Sequence, residues 1–432
     1  MAKDLRRYAR RGPRRTYYNT EFVVALKHVE QVRKTLIESR VAIADVEPSP
    51  DLGLALVKLS DDKTAAKCIS ETLQEEQRRA NRATSTPDPR AVHTDLDRFL
   101  YGLRELFATR NAGWSPTVGK NRLVGDVIGG VGKISHGGGD MPTASRKRFP
   151  SRYKRGKAET EKGTGVRVGM LDTSISSHDW LAGGWVSTPG GVLATRDNQA
   201  VSAGHATFVA GLVLNQAPAC VVDARRLLSD DFGQATSWEA ANAIAKIGKT
   251  RPDVLNLSFV CYTEDGQAPL ALATAIDQLD SDTVVVAAAG NHGDLELEGQ
   301  EEKWDADDRR KPAWPAALDG VVAIGAATTD GLPAVFTPPN VQWIDAMAPG
   351  VKLASTFVTA SVNVAEDGDK LPVMKSFHGW ASWSGTSFAA ALVSGMIAAE
   401  TIPGQVSARQ AWNAILDNAR KGRSQPPLIE PP

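Results

Sequence analysis

The sequence predicts an α/β protein: a doubly wound, mostly parallel sheet with helices on both faces, preceded by a small α+β domain of ferredoxin-like connectivity. Three observations carry this expectation. From Val166 onward, short apolar runs (VRVGMLD, VVDARRLL, DVLNLSF, TVVVAAAG, GVVAIGAA) are interspersed with helical patterns such as SWEAANAIAKIGK and LALATAIDQLD. Continuous rather than alternating apolar strands are what a sheet covered on both faces requires. Upstream, the stretch from Glu21 to about residue 80 reads as strand, helix, strand, strand, helix. Finally, chemically capable residues such as Asp172 and Asn291 stand at strand ends, where sheets of this type gather their functional groups.

Taken in order, residues 1–20 form a basic tail, with Arg6, Arg7, Arg10, Arg11, Arg14 and Arg15 and no apolar run. Residues 21–80 hold the α+β unit. EFVVALK is its first strand, and Val29, Val32, Leu36 and Ile37 give the following helix one apolar face. VAIADVE and LGLALVKLS make two strands around a Pro/Ser/Asp turn, and DKTAAKCISETLQEEQRR a second helix. No fourth strand is legible. Residues 81–165 read as a linker containing one amphipathic helix, TDLDRFLYGLRELFATR, and an exposed Gly/Lys/Arg-rich stretch. Residues 166–421 make the parallel-sheet domain, and 422–432 a Pro-rich tail.

Over 432 residues, Lys plus Arg and Asp plus Glu both total 50, so the net charge is zero and signals neither nucleic acid nor an acidic substrate. The basic tail has the charge to touch nucleic acid or acidic partners; a solvated, disordered extension is the plainer expectation. No apolar stretch has transmembrane length, and the opening lacks the apolar core of a secretory signal. Cys68, Cys220 and Cys261 are far apart, odd in number and without metal-ligand spacing. Free thiols in a cytoplasmic protein with no cofactor and no metal are the expectation.

The stretch SGTSFAAALVSG, Ser384 to Gly395, raises the functional question. Ser and Thr before an apolar run are ordinary helix caps, because their hydroxyls satisfy exposed backbone N–H groups. Three further residues change the weight of Ser387. Asp172 closes VRVGMLD, His205 sits in AGHATFVAGLV, and Asn291 closes TVVVAAAGN. Each alone has a structural explanation as cap, core histidine or turn residue. Together they are the parts of acyl transfer. A serine hydroxyl needs a base, a histidine serves as that base near neutral pH, a carboxylate fixes the imidazole, and an amide donor holds the developing oxyanion. Two other scraps carry nothing. GGVGK lacks the spacing of a phosphate loop, and HGGG has no GxSxG elbow to accompany it.

In these segments the chain resembles the subtilisin-like serine protease family. VGMLDTSIS is similar to the family's Asp box, GHATFVAG to its His box, VVAAAGN to its oxyanion segment and SGTSFAAALVSG to its Ser box, in the family's order. DAMAPGV and LNLSF add to the likeness. The resemblance implies a subtilisin-like fold and a serine endopeptidase that cleaves protein or peptide substrates. Ser387 would be the nucleophile, His205 the base and acid, Asp172 its orienting carboxylate and Asn291 the oxyanion donor. It also implies a substrate cleft bordered by Leu257, Ser258 and Phe259 and by Ala288, Ala289 and Gly290, where an extended peptide adds as a strand. The N-terminal α+β unit resembles an inhibitory propeptide. That likeness implies a zymogen, inhibited by its own N-terminal domain, that cuts itself between about residues 80 and 165. Such an arrangement suggests activation by a partner protein.

The departures are Ala206 and Phe208 in the His box, Ser174 in the Asp box, Ala391 in the Ser box and Val260 after the cleft wall. None removes a catalytic group, and Val260 is placed to reshape the cleft. Two other classes stay in view. Serine-carboxyl peptidases share an SGTS box but use a Glu base and an Asp in the oxyanion position, against His205 and Asn291 here. A non-catalytic binding protein on the same fold is the second alternative.

Overall fold

The computed structural model describes residues 17–79, 94–126, 141–152, 154, 156–187, 200–263, 265–293, 309–364, 371–422, 424 and 426–431. Residues 1–16 of the basic tail and residues 127–140 of the Gly/Lys/Arg-rich stretch lie outside these residues. The chain divides into two compact units. One comprises Met1–Leu123 with Thr236–Ala245 and Thr263–Gln278; the other comprises Val124–Ala235, Lys246–Tyr262 and Leu279–Pro432.

In the first unit, the strands Tyr17–Ala25, Leu54–Leu59 and Ile43–Ser49 lie side by side, antiparallel. A fourth strand, beginning at Val118, pairs with the first, also antiparallel, opposing Val24 with Val118 and Phe22 with Lys120. It stands where the sequence reads as linker. Its pattern, VGKNRLVGD, has too few apolar residues to announce a strand. Tertiary pairing overrides that local signal. Three helices, Val29–Glu38, Asp62–Arg79 and Asp95–Arg110, supply the apolar faces that bury the core, which holds Phe22, Leu36, Ile69, Phe99 and Leu103. The third starts at a capping box, in which Thr94 and Asp97 satisfy each other's backbone N–H groups. Hydrogen bonds tie this fold to the later segments of the same unit. Trp238 Nε1 donates to Glu47 at 2.8 Å, Ser49 Oγ to Asn242 Oδ1 at 2.7 Å and Gln278 Nε2 to the Leu52 carbonyl at 3.2 Å. Asn121 Oδ1 accepts from both Ser237 Oγ and Trp238 N at 3.0 Å, and so caps the helix Ser237–Gly248.

The second unit carries the expected parallel sheet. Its seven strands run in the order Ala346–Pro349, Val322–Ala327, Val284–Ala288, Val254–Leu257, Arg167–Asp172, Val221–Arg226 and Trp185–Val186. Every neighbouring pair is parallel. The runs that read as uniformly apolar are buried along their length, as in Val284–Ala288 and Val322–Ala327. The helices His205–Gln216 and Thr386–Glu400 are apolar on nearly every face and lie inside the core.

The segment 141–152, expected to be exposed linker, belongs to this unit. Thr143 and Ala144 pair with Ser382 and Ala381. Phe149 packs among Trp180 and Trp380, with ring centroids at 5.2 and 5.5 Å. Arg152 is buried and donates to the carbonyls of Trp180, Pro218 and Ala182. The apolar and aromatic contacts here come from single residues spaced too irregularly to show a period.

Candidate active site

Three elements of the parallel-sheet unit deliver the site. The strand Arg167–Asp172 ends in Asp172, whose carbonyl accepts from Leu227 N and Leu228 N at 2.8 and 3.1 Å. His205 is the first residue of its helix, fully buried. It follows Gly204, where a β-carbon would stand 2.1 Å from the Phe357 ring, so the chain can pass only with glycine there. Ser387 lies in the first turn of the helix Thr386–Glu400.

The geometry joins them in sequence. His205 Nδ1 donates to Asp172 Oδ1 at 2.8 Å, with Oδ2 at 3.0 Å, and neither side chain is exposed. A carboxylate acceptor on Nδ1 fixes the tautomer that leaves Nε2 basic. Asp172 is itself held by Thr173, whose backbone N–H donates to Oδ1 at 2.7 Å. Thr173 Oγ1 in turn accepts from Ala206 N at 3.2 Å. One threonine thus links carboxylate and histidine helix. The His205 ring lies 5.5 Å from that of Phe388, the residue after Ser387, and 5.9 Å from that of Trp383. Phe208, one of the family departures, fills this apolar surround at 4.5 Å from Phe388. Low polarity around a paired imidazole strengthens its electrostatics.

Ser387 Oγ donates to the Ser258 carbonyl at 3.2 Å, while Ser258 Oγ donates back to the Ser387 carbonyl at 3.0 Å. Ser258 Oγ also accepts from Asn256 Nδ2 at 2.9 Å, and Asn256 Oδ1 from Ser394 Oγ at 3.0 Å. The nucleophile's turn is therefore stitched to the sheet by a buried chain of side chains. Asn291 Oδ1 accepts from both Thr386 N and Thr386 Oγ1, each at 3.0 Å. With its oxygen engaged, the amide presents Nδ2 beside Gly385, 3.4 Å from where a β-carbon there would stand. The helix itself starts at Gly385 without a side-chain cap. No Ser or Thr side chain caps the helix at that position, so the ordinary capping reading of this stretch does not describe it. Thr386 reaches Asn291, and Ser384 Oγ accepts from Lys352 N at 3.0 Å.

Of the residues expected to border a cleft, Leu257, Phe259, Ala288 and Ala289 are fully buried, so only their backbone is available to a strand. The backbone of Phe259 and Val260 is already in use. It pairs antiparallel with Asp126 and Gly125, and Val124 is buried beside them. Among the departures, Ser174 is explained by Asp230, which accepts from its backbone N–H and its hydroxyl at 2.7 and 2.9 Å. Thr173, Thr386 and Asn256 escaped the sequence reading. For Asn256 a signal existed, a lone amide inside the apolar strand Val254–Leu257 that must find partners. Among the described residues, no group of three or more His, Cys, Asp or Glu is placed to hold a metal ion. No helix among them is long and apolar enough to cross a membrane.

Comparison with known proteins gives this geometry its class. Residues 163–428 match the model of the subtilase family, and the chain belongs to that family. Mycosin-4 of Mycobacterium tuberculosis is 29% identical over 265 residues, covering 55% of this chain and 56% of that protein. Subtilisin DY of Bacillus licheniformis is 30% identical over 213 residues, covering 46% of this chain and 70% of its own length. The chain thus spans little more than half of the mycosins it matches. Fervidolysin from Fervidobacterium pennivorans, a keratinolytic enzyme related to subtilisin, superposes over 98% of this chain and 61% of its own, with a TM-score of 0.57 at 16% identity. That likeness speaks to the fold.

Proposed function

We propose that the protein is a serine endopeptidase made as a self-inhibited precursor. The observation that carries the first half is the buried Asp172–His205 pair, 2.8 Å apart, beside the helix turn that holds Ser387. In this reading His205 Nε2 takes the proton of Ser387 Oγ as the hydroxyl attacks a scissile carbonyl. Asp172 stabilises the imidazolium that forms. The oxyanion is met by Asn291 Nδ2 and by the backbone N–H of Ser387 at the helix start. His205 then returns the proton to the leaving amine, and water repeats the cycle on the acyl-enzyme.

Two features support the second half. The strand from Val118 lays Gly125 and Asp126 along Phe259 and Val260, the backbone edge that a substrate strand would use. Asp126 is thereby paired with Phe259, the neighbour of Ser258, whose carbonyl is 3.2 Å from Ser387 Oγ. The α+β fold also packs with Thr236–Ala245 and Thr263–Gln278, segments of the family-matched region, in one compact unit. Self-cleavage is assigned to the stretch between Asp126 and Met141, outside the described residues. A cytoplasmic setting and activation by a partner protein complete the reading.

A fluorophosphonate probe tests the chemistry. It is expected to label wild type and to leave Ser387→Ala unlabelled. No labelling of the chain after removal of residues 1–126 would refute the protease reading and leave a binding protein on a protease fold.

A further inference from the structure

Tyr262 ends the strand Phe259–Tyr262 and is fixed by pairing with Ala313, while Cys261 beside it pairs with Trp314. Its ring lies edge-on to that of His292, with centroids 4.8 Å apart and planes at 71°. His292 immediately follows Asn291, is fully buried, and has Nε2 3.0 Å from the Lys311 carbonyl. The two rings therefore form a fixed support directly behind the turn that carries Asn291.

The turn depends on that support. Gly290 has φ +88°, the left-handed region that favours glycine. A β-carbon at this position would stand 2.6 Å from Tyr262 Oη and 2.8 Å from His292 Nδ1. The phenol oxygen thus fills the space against which the backbone of Gly290 closes. Tyr262 Oη is buried, and no group among the described residues completes a well-formed hydrogen bond to it. It faces the backbone of Gly290, in the space that a side chain there would take. Burial pushes the phenol well above its ordinary range, so it stays neutral. A hydroxyl kept in such a place is unfavourable for folding alone. Phenylalanine would fill the same volume without that disadvantage.

We infer that Tyr262 is a positioning residue for the proposed hydrolysis: its hydroxyl holds the Gly290–Asn291 backbone so that the Asn291 amide meets the charge developing on the scissile carbonyl. The inference rests on the protease reading above. Tyr262 touches no reacting atom and acts only through Asn291. Its contribution therefore belongs to the transition state and vanishes when Asn291 is gone.

A double-mutant cycle on the full chain tests this, reading the rate of fluorophosphonate labelling at Ser387 together with kcat and KM for a peptide anilide. Tyr262→Phe is expected to lower the labelling rate and kcat about fivefold, equivalent to about 1 kcal/mol of barrier, with KM unchanged and the melting temperature equal to or above that of wild type. Asn291→Ala is expected to cost on the order of 10²–10³ in kcat, a magnitude measured on the equivalent asparagine of subtilisin, a member of this family. Tyr262→Phe should add nothing in that background. Wild-type kcat in Tyr262→Phe, a matching rise in KM, or a further fivefold loss on top of Asn291→Ala would each overturn the role. A wild-type chain that takes up no probe at Ser387 even after removal of residues 1–126 refutes the protease reading and the role with it. A labelled wild type beside an indifferent Tyr262→Phe refutes the role alone.

Discussion

The two compact units bury different kinds of surface. The N-terminal α+β unit packs a hydrocarbon core that includes Phe22, Leu36, Ile69, Phe99 and Leu103, and its buried polar residues, such as Asn121 and Ser237, serve to cap and tie its elements. Arg110 pairs nearer the surface with Glu38 at 3.0 Å and Glu76 at 3.1 Å, while Lys120 and Asp97 form one nearly buried ion pair. The parallel-sheet unit buries a larger hydrocarbon core and, with it, Asp172, His205, Asn256, Ser258, Asn291, Ser387 and Ser394, all 2% exposed or less. Burying polar groups contributes nothing to stability unless each finds a partner. The chain supplies those partners in a connected set. The contrast shows where each unit's sequence is committed, to packing in one and to placing reactive groups in the other.

The largest effect that sharpens this contrast belongs to the hydrocarbon core. Phe99 is fully buried, with its ring 5.4 Å from that of Phe22. Phe99→Ala is expected to cost the N-terminal unit about 3–5 kcal/mol. Hydrogen exchange should accelerate across residues 21–79 and 94–123 while the strands of the parallel sheet keep their protection. Equal acceleration in both units would erase the distinction.

Asn256→Ala comes next. It strips the partner from Ser258 Oγ on one side and Ser394 Oγ on the other. The expected loss is about 1–3 kcal/mol in the parallel-sheet unit, because Ser394 Oγ loses its acceptor and Ser258 Oγ its donor while both stay buried. It should appear in a denaturant titration and be accompanied by slower probe labelling of Ser387. An unchanged labelling rate would detach this chain of bonds from the nucleophile.

The smallest effect concerns pH. Burial lowers His178 below the ordinary value of 6.5, and the bond to the Gly379 carbonyl only partly offsets it. The geometry agrees. Nδ1 accepts from Trp180 N at 3.1 Å, so Nε2 carries the hydrogen that meets the Gly379 carbonyl at 2.8 Å. A second proton would have to displace the bond at Nδ1. Because the folded value is depressed, this stabilisation is complete above about pH 6.5 and is lost as pH falls through the folded value. Melting temperature should therefore drop more between pH 7.5 and 5 in wild type than in His178→Gln. Parallel curves would remove His178 from the acid response.

Much of the fold was legible because buried parallel strands leave continuous apolar runs. TVVVAAAG and GVVAIGAA needed no context to be read. The four boxes were legible for a related reason: a reactive group inside an apolar run conflicts with its surroundings, as Asp172 does at the end of VGMLD. What escaped the reading depends on partners distant in sequence. The strand from Val118 is made by pairing with Phe22 to Val24 and with Phe259 and Val260. The anchoring of 141–152 depends on scattered residues such as Phe149 and Arg152. Only the folded turn shows Thr386 holding Asn291 in place.

Intact-mass measurement of freshly purified wild type beside Ser387→Ala tests the central claim most directly, because a single chain then serves as both enzyme and substrate. The account predicts two fragments in wild type, joined in sequence after Asp126 and before Met141, and one uncut chain in Ser387→Ala. A wild type that stays whole, or a Ser387→Ala chain cut at the same place, would contradict it.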